Sequence, residues 1–116
     1  MAELFRVSNV GEVQVVELDL PEVLDSDEFD RLNEALIAAV GRAPGGPLVL
    51  DLSRLDYAGS SVLGLMVNVR QRVKEVGGRL VLCGLSDRLL QIFRTCSLER
   101  LFVIRRGRAE AVERAR

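Results

Sequence analysis

Few residues in this chain are equipped for chemistry. The richest group is Gly59-Ser60-Ser61, which follows the apolar run Leu48-Val49-Leu50 and a loop from Asp51 to Tyr57. That pattern reads as a buried strand, a loop and a helix start, and in open α/β sheets ligands and modifications gather at the carboxyl ends of strands. A serine placed there becomes a nucleophile only beside a base. The chain has no histidine, and Lys74 is its one lysine. Further along the same helix, Lys74 stands roughly 21 Å from Ser60 at about 1.5 Å per residue, far outside hydrogen-bond reach. Gly59-Ser60-Ser61-Val62 also departs from the Gly-x-Ser-x-Gly elbow, so no enzyme is expected. Modification is a different matter. A phosphate on Ser60 would add about −1.5 to −2 charges where the free N–H groups and dipole of a helix start can receive them, changing the surface rather than the fold. The competing reading makes one of the two serines merely the helix N-cap.

The remaining candidates carry less. Cys83 and Cys96 lack the close pairing of a zinc or redox motif and are expected to be two buried thiols of a reducing, intracellular protein. Without histidine, histidine-containing metal sites are ruled out. The acids Asp19, Glu22, Asp25, Asp27 and Glu28 lack the spacing of an EF-hand and read as a solvated loop. Pro44-Gly45-Gly46-Pro47 and Gly77-Gly78 match neither a phosphate loop nor a dinucleotide fingerprint, and read as a turn and a helix cap. No metal and no cofactor is expected.

A length of 116 residues with 48% apolar residues suits one domain spanning 1–116. Met1-Ala2-Glu3-Leu4-Phe5-Arg6 has neither the basic start nor the apolar run of a signal peptide, and no stretch approaches the ~20 apolar residues of a membrane span. A cytoplasmic protein without membrane insertion is expected. Residues 1–56 hold twelve acids against four bases, and residues 57–116 hold five acids against twelve bases. With five aromatics and no basic run interleaved with them, this asymmetry fits a polar protein-binding surface better than direct nucleic-acid contact.

These residues need a frame to hold them. Leu4–Val7 and Val13–Leu18, joined through Asn9-Val10-Gly11, predict an antiparallel hairpin. Asp25 and Glu28 form a capping-box pattern ahead of Phe29, Leu32, Leu36 and Val40, predicting a helix over 26–40. Leu48–Leu50 predicts a buried strand. The stripe Val62, Met66, Val69, Val73 and Val76 predicts a second helix ending at Gly77-Gly78. Arg79–Cys83 is the next strand. Ser86 should cap a third helix with Leu89, Ile92, Phe93 and Cys96 inward, followed by a strand over Leu101–Ile104 and a basic, fraying helix over 107–116. The fold class is therefore α/β: a small mixed sheet with an N-terminal antiparallel hairpin, later parallel strands and about four helices.

Asp51-Leu52-Ser53-Arg54-Leu55-Asp56-Tyr57-Ala58-Gly59-Ser60-Ser61-Val62-Leu63-Gly64 resembles the signature of the STAS domain, the family of bacterial anti-sigma factor antagonists. Gly78 to Leu85 and Ile92 to Leu98 resemble the family's later strand and third helix. The resemblance implies a domain that binds a kinase-type anti-sigma factor, an ATP-using serine kinase, and so frees a sigma factor for transcription. It places the phosphorylated serine at Ser60, with Ser61 second. The contact surface then centres on Tyr57, Ala58, Gly59, Ser60, Ser61, Val62 and Gly64. Two positions depart from the pattern: Gly59 stands where the family has aspartate, and Val62 where it has glycine. They leave open an alternative, a STAS accessory subunit of a transporter or stress-signalling complex that binds its partner constitutively.

Overall fold

Strict alternation along Val13–Leu18 divides the apolar residues between two faces, and the rest of the chain is built around that division. The computed structural model describes residues 4–21, 23–42 and 45–116. Met1-Ala2-Glu3, the loop acid Glu22 and Pro44 of the expected turn lie outside the described residues. The elements are β1 (Phe5–Val10), β2 (Val13–Leu18), α1 (Ser26–Arg42), β3 (Pro47–Asp51), α2 (Ser60–Glu75), β4 (Arg79–Cys83), α3 (Asp87–Thr95), β5 (Val103–Arg105) and α4 (Arg108–Ala115), with a 3₁₀ turn over Leu98–Arg100. The five strands lie side by side in chain order. β1 and β2 are antiparallel, and each later pairing is parallel. This is the expected α/β arrangement.

Right-handed crossovers between consecutive parallel strands put every connecting helix on the same face. Accordingly α1, α2 and α3 bury Leu32, Leu36, Val62, Met66, Val69, Leu89 and Phe93 against Val16, Leu18, Leu50 and Leu82. At about 1.5–3 kcal/mol per buried aliphatic side chain, this layer supplies most of the apolar stabilisation. The opposite face is left to the chain's last helix. Val13, Val15, Val49, Val81 and Cys83 meet Ala111, Val112 and Ala115 of α4.

Local signals set most boundaries. Asp25 Oδ1 accepts from the Glu28 N–H at 2.7 Å, and Glu28 Oε1 accepts from the Asp25 N–H at 3.1 Å, completing the capping box of α1. Ser86 Oγ accepts from the Leu89 N–H at 3.1 Å to cap α3. Between β1 and β2 only Gly11 and Glu12 turn the chain, with Gly11 at φ 61, a conformation that primed turns reserve for glycine. Gln14, a polar residue on the helical face of β2, donates from Nε2 to the Ala39 carbonyl near the end of α1 at 2.8 Å.

Several expectations need correction. α1 runs to Arg42, past Val40. β1 begins at Phe5 and continues to Val10, because the hairpin ladder extends to the Val10–Val13 pair. Val76 is not part of the buried stripe: it follows the last turn of α2 as its C-cap and is 39% exposed. Cys96 occupies the same position after α3, so of the two thiols expected inside, Cys83 is buried and Cys96 is exposed. The last strand starts at Val103, because Ser97 at φ 58 turns the chain into the 3₁₀ segment and Leu101 closes it. The terminal helix does not fray: Ala111, Val112 and Ala115 are buried against the sheet.

The docking of α4 gives a paired test. Ala111→Glu would bury an unpaired carboxylate and is expected to cost about 3 kcal/mol or more in urea unfolding. Ala109→Glu, on the exposed side of the same helix, is expected to stay within about 0.5 kcal/mol of wild type. Equal effects would contradict a docked α4.

Candidate partner-binding site

The loop between β3 and α2 is held from below by apolar side chains. Leu52, Leu55 and Ala58 are buried, while Ser53, Arg54, Asp56 and Tyr57 between them are exposed. The Leu52 N–H donates to the Cys83 carbonyl at 2.8 Å and the Leu55 N–H to the Leu52 carbonyl at 2.9 Å, giving the loop a fixed start. Gly84 lies against it at φ 75, where a Cβ would approach Ser53 N and Cβ to 2.9 Å. Only glycine suits that position.

Asp51 anchors the same loop. Its Oδ1 accepts from the Ser53 N–H at 2.9 Å, and its Oδ2 accepts from Arg108 Nε at 2.9 Å and Nη2 at 2.7 Å. Arg108 Nη2 also donates to Glu17 Oε2 at 2.9 Å, and Arg54 Nε to Glu17 Oε1 at 3.0 Å. Carboxylates of the acidic half thus meet an arginine of the basic half at the mouth of the α4 face. Burial pushes the Asp51 carboxyl up, but the hydrogen bonds from Ser53 and the Arg108 guanidinium outweigh it and hold the group below its ordinary value. Beside it, burial and the Asp51 charge push the Cys83 thiol up to about 12, leaving it protonated and unreactive at neutral pH.

At the end of the loop, Gly59 is the N-cap of α2 with φ −80 and ψ 175, and no side chain caps the helix. Neither serine fills that role: Ser60 is the first helical residue, and both Ser60 and Ser61 are exposed. Lys74 lies in the last turn of the same helix. The first turn of α2 carries no acid.

Ser60 opens onto a groove of about 750 Å³. Tyr57, Gly59, Ser60, Ser61 and Val62 form one wall, and Val23, Leu24, Asp25, Ser26, Phe29 and Asp30 form the other. Arg88, from the start of α3, completes it, with its guanidinium carbon 5.3 Å from the Tyr57 ring centroid and Nη1 3.3 Å from Asp56 Oδ2. Val23, 81% exposed, and Tyr57, 40% exposed, are apolar surfaces open to a partner.

Of the residues expected at the contact surface, Tyr57, Ser60, Ser61 and Gly64 are exposed and Gly59 is half-buried. Ala58 is buried and offers a partner no side-chain surface, while Val62 is nearly buried and only borders the groove. The wall from Val23 to Asp30 and Arg88 was not anticipated. Its signal was present: these residues also follow carboxyl ends of strands, β2 and β4, parallel to β3. The acids of that segment read as a solvated loop, although Asp25 and Glu28 cap α1 and Asp25 and Asp30 line the groove.

Three loops thus converge on an exposed serine at one side of a small α/β domain, with Lys74 at the far end of the serine's helix. Comparison with known proteins agrees. The family described as "Mlab, STAS domain" matches residues 1–105. BtrV of Bordetella bronchiseptica, named as an anti-sigma factor antagonist, is 32% identical over 92 residues, covering 79% of this chain and 78% of its own. A STAS domain protein from Planctomyces limnophilus superposes with a TM-score of 0.82 at 23% identity, covering 96% of this chain and 97% of its own. The phosphorylated form of SpoIIAA from Bacillus gives a TM-score of 0.70 at 23% identity, over 97% of this chain and 99% of its own. The chain belongs to the STAS domain family of anti-sigma factor antagonists, which is non-enzymatic.

The Asp51 anchor has a pH signature. A carboxyl held below its ordinary value of 3.8 in the folded state contributes stability that is present above that value and lost as pH falls through the lower folded value. Arg108→Ala removes part of that compensation and leaves the Ser53 hydrogen bonds, so the acid-unfolding midpoint is expected to rise by up to about 1 pH unit, read by circular dichroism. An unchanged midpoint would remove Arg108 from the anchor.

Proposed function

We propose that this protein sequesters a kinase-type anti-sigma factor in the cytoplasm through the groove beside Tyr57–Gly64, and that phosphorylation of Ser60 by that partner ends the interaction. The main support is the position of Ser60, an exposed hydroxyl on the first residue of α2, bordering a groove with apolar and charged walls. The relative solved in a phosphorylated form lends the reading further weight.

The electrostatics give the switch its direction. The groove lining holds Asp25 and Asp30 against one cation, Arg88, among the described residues. A phosphate of about −1.5 to −2 charges would deepen that negative potential and place a strongly hydrated group where a partner must exclude water. The helix survives the change, because its N-terminus has no acid in the first turn and favours a nearby anion.

The two departures from the family pattern are physically mild. Gly59 has an extended conformation open to any residue, and a Cβ there would meet Tyr57 only at 3.8 Å, so the missing aspartate is a loss of charge and not a backbone requirement. Val62 turns into the core, where its bulk packs among α2 neighbours rather than toward a partner.

Incubation with ATP and the cognate anti-sigma factor, followed by intact-mass measurement, is expected to show one phosphate on wild type and none on Ser60→Ala. Ser60→Glu is expected to weaken binding about tenfold or more in calorimetry, because it places an anion at the contact. An adduct that persists on Ser60→Ala would move the switch elsewhere. Tight binding with no adduct would support the constitutive accessory subunit instead.

A further inference from the structure

The two edges of the sheet are built differently. β5 is three residues long, with Arg105 and Arg106 at its end, and the Arg105 guanidinium Nη1 sits on the Ile104 carbonyl at 2.9 Å. Short length and positive charge are the usual means of keeping an edge from pairing. β1 has neither. It is six residues long, has no proline, carries one charge, Arg6, and pairs on one side with β2.

The hairpin fixes which backbone groups of β1 are open. The Asp19 N–H donates to the Leu4 carbonyl, so Leu4 and Asp19 form a hydrogen-bonded pair. Hydrogen-bonded and non-bonded pairs alternate along an antiparallel ladder, which makes Arg6, Ser8 and Val10 the other residues bonded to β2. Phe5, Val7 and Asn9 therefore turn their N–H and C=O groups away from β2, toward the open edge. Phe5 and Val7 are also only partly buried.

We propose that β1 is a homodimer interface, in which a second copy of this chain pairs with it antiparallel about a two-fold axis at Val7. That register is self-complementary. Val7 meets its counterpart, Phe5 meets the other copy's Asn9, and all three open residues exchange both backbone bonds. On the other side Arg6 faces Ser8 of the second copy, so the strand's one charge is never directly opposite its like. The two joined sheets form a continuous sheet of ten strands, and the proposal does not depend on the phosphorylation of Ser60.

Light scattering across a concentration series tests it. Wild type is expected to move from 12.8 kDa toward twice that mass. Asn9→Pro removes an outward N–H while leaving every bond to β2, and is expected to weaken the dimer about tenfold or more with the circular dichroism spectrum retained. Ser8 gives a second test that does not depend on proline. Ser8→Glu, opposite Arg6 of the second copy, is expected to tighten the dimer about fivefold, and Ser8→Lys to loosen it about fivefold. A wild type that stays at 12.8 kDa up to millimolar concentration, or a dimer indifferent to all three substitutions, would overturn the assignment.

Discussion

The buried carboxylate of Asp51 joins the two halves of this structure. It ends β3, fixes the first turn of the loop leading to Ser60 through the Ser53 N–H, and holds Arg108 at the start of α4 on the opposite face. An uncompensated carboxylate at that depth would cost several kcal/mol, on the order given for buried charge. Its satisfaction thus requires both the loop conformation and the docking of α4. Gly84 supports the same geometry by leaving space for Ser53. The position of the exposed serine follows from this one polar contact as much as from the apolar core beneath it.

Much of this was legible in the sequence. Capping patterns gave the starts of α1 and α3 because they are local, satisfying orphan N–H groups within one turn. The fold class followed from apolar runs alternating with helical stripes. The errors cluster where tertiary contacts override local pattern. Cys96 and Val76 continue a helical spacing, but each helix has ended before it reaches them. α4 looked like a fraying basic tail because Ala111, Val112 and Ala115 form a small apolar face. Its importance lies in covering a valine-rich sheet surface that no other helix covers among the described residues. The charge at Arg108 read as part of a basic surplus, since nothing local marks its partners fifty or more residues away.

The site was half legible for a related reason. The segment around Ser60 has a distinctive local sequence, whereas the facing wall comes from Val23 to Asp30, whose acids look like ordinary solvated loop. Topology brings them together: β2, β3 and β4 run parallel and end at the same side of the sheet. Ala58 and Val62 show the converse. Adjacent to Ser60 in sequence, they face the interior and act on a partner only by holding the exposed residues in place.

Strand order in space repeats strand order along the chain, and this has a consequence for the protein during its synthesis. Each strand can add to the growing edge as it leaves the ribosome, with no earlier strand waiting for a later one to fill a gap between them. One surface cannot be completed in this way. The valines of β2, β3 and β4 face solvent until α4, which follows all five strands, has emerged. A nascent chain that has delivered β4 but not yet α4 therefore holds a half-open sheet. Closure of that face waits for Arg108–Ala115.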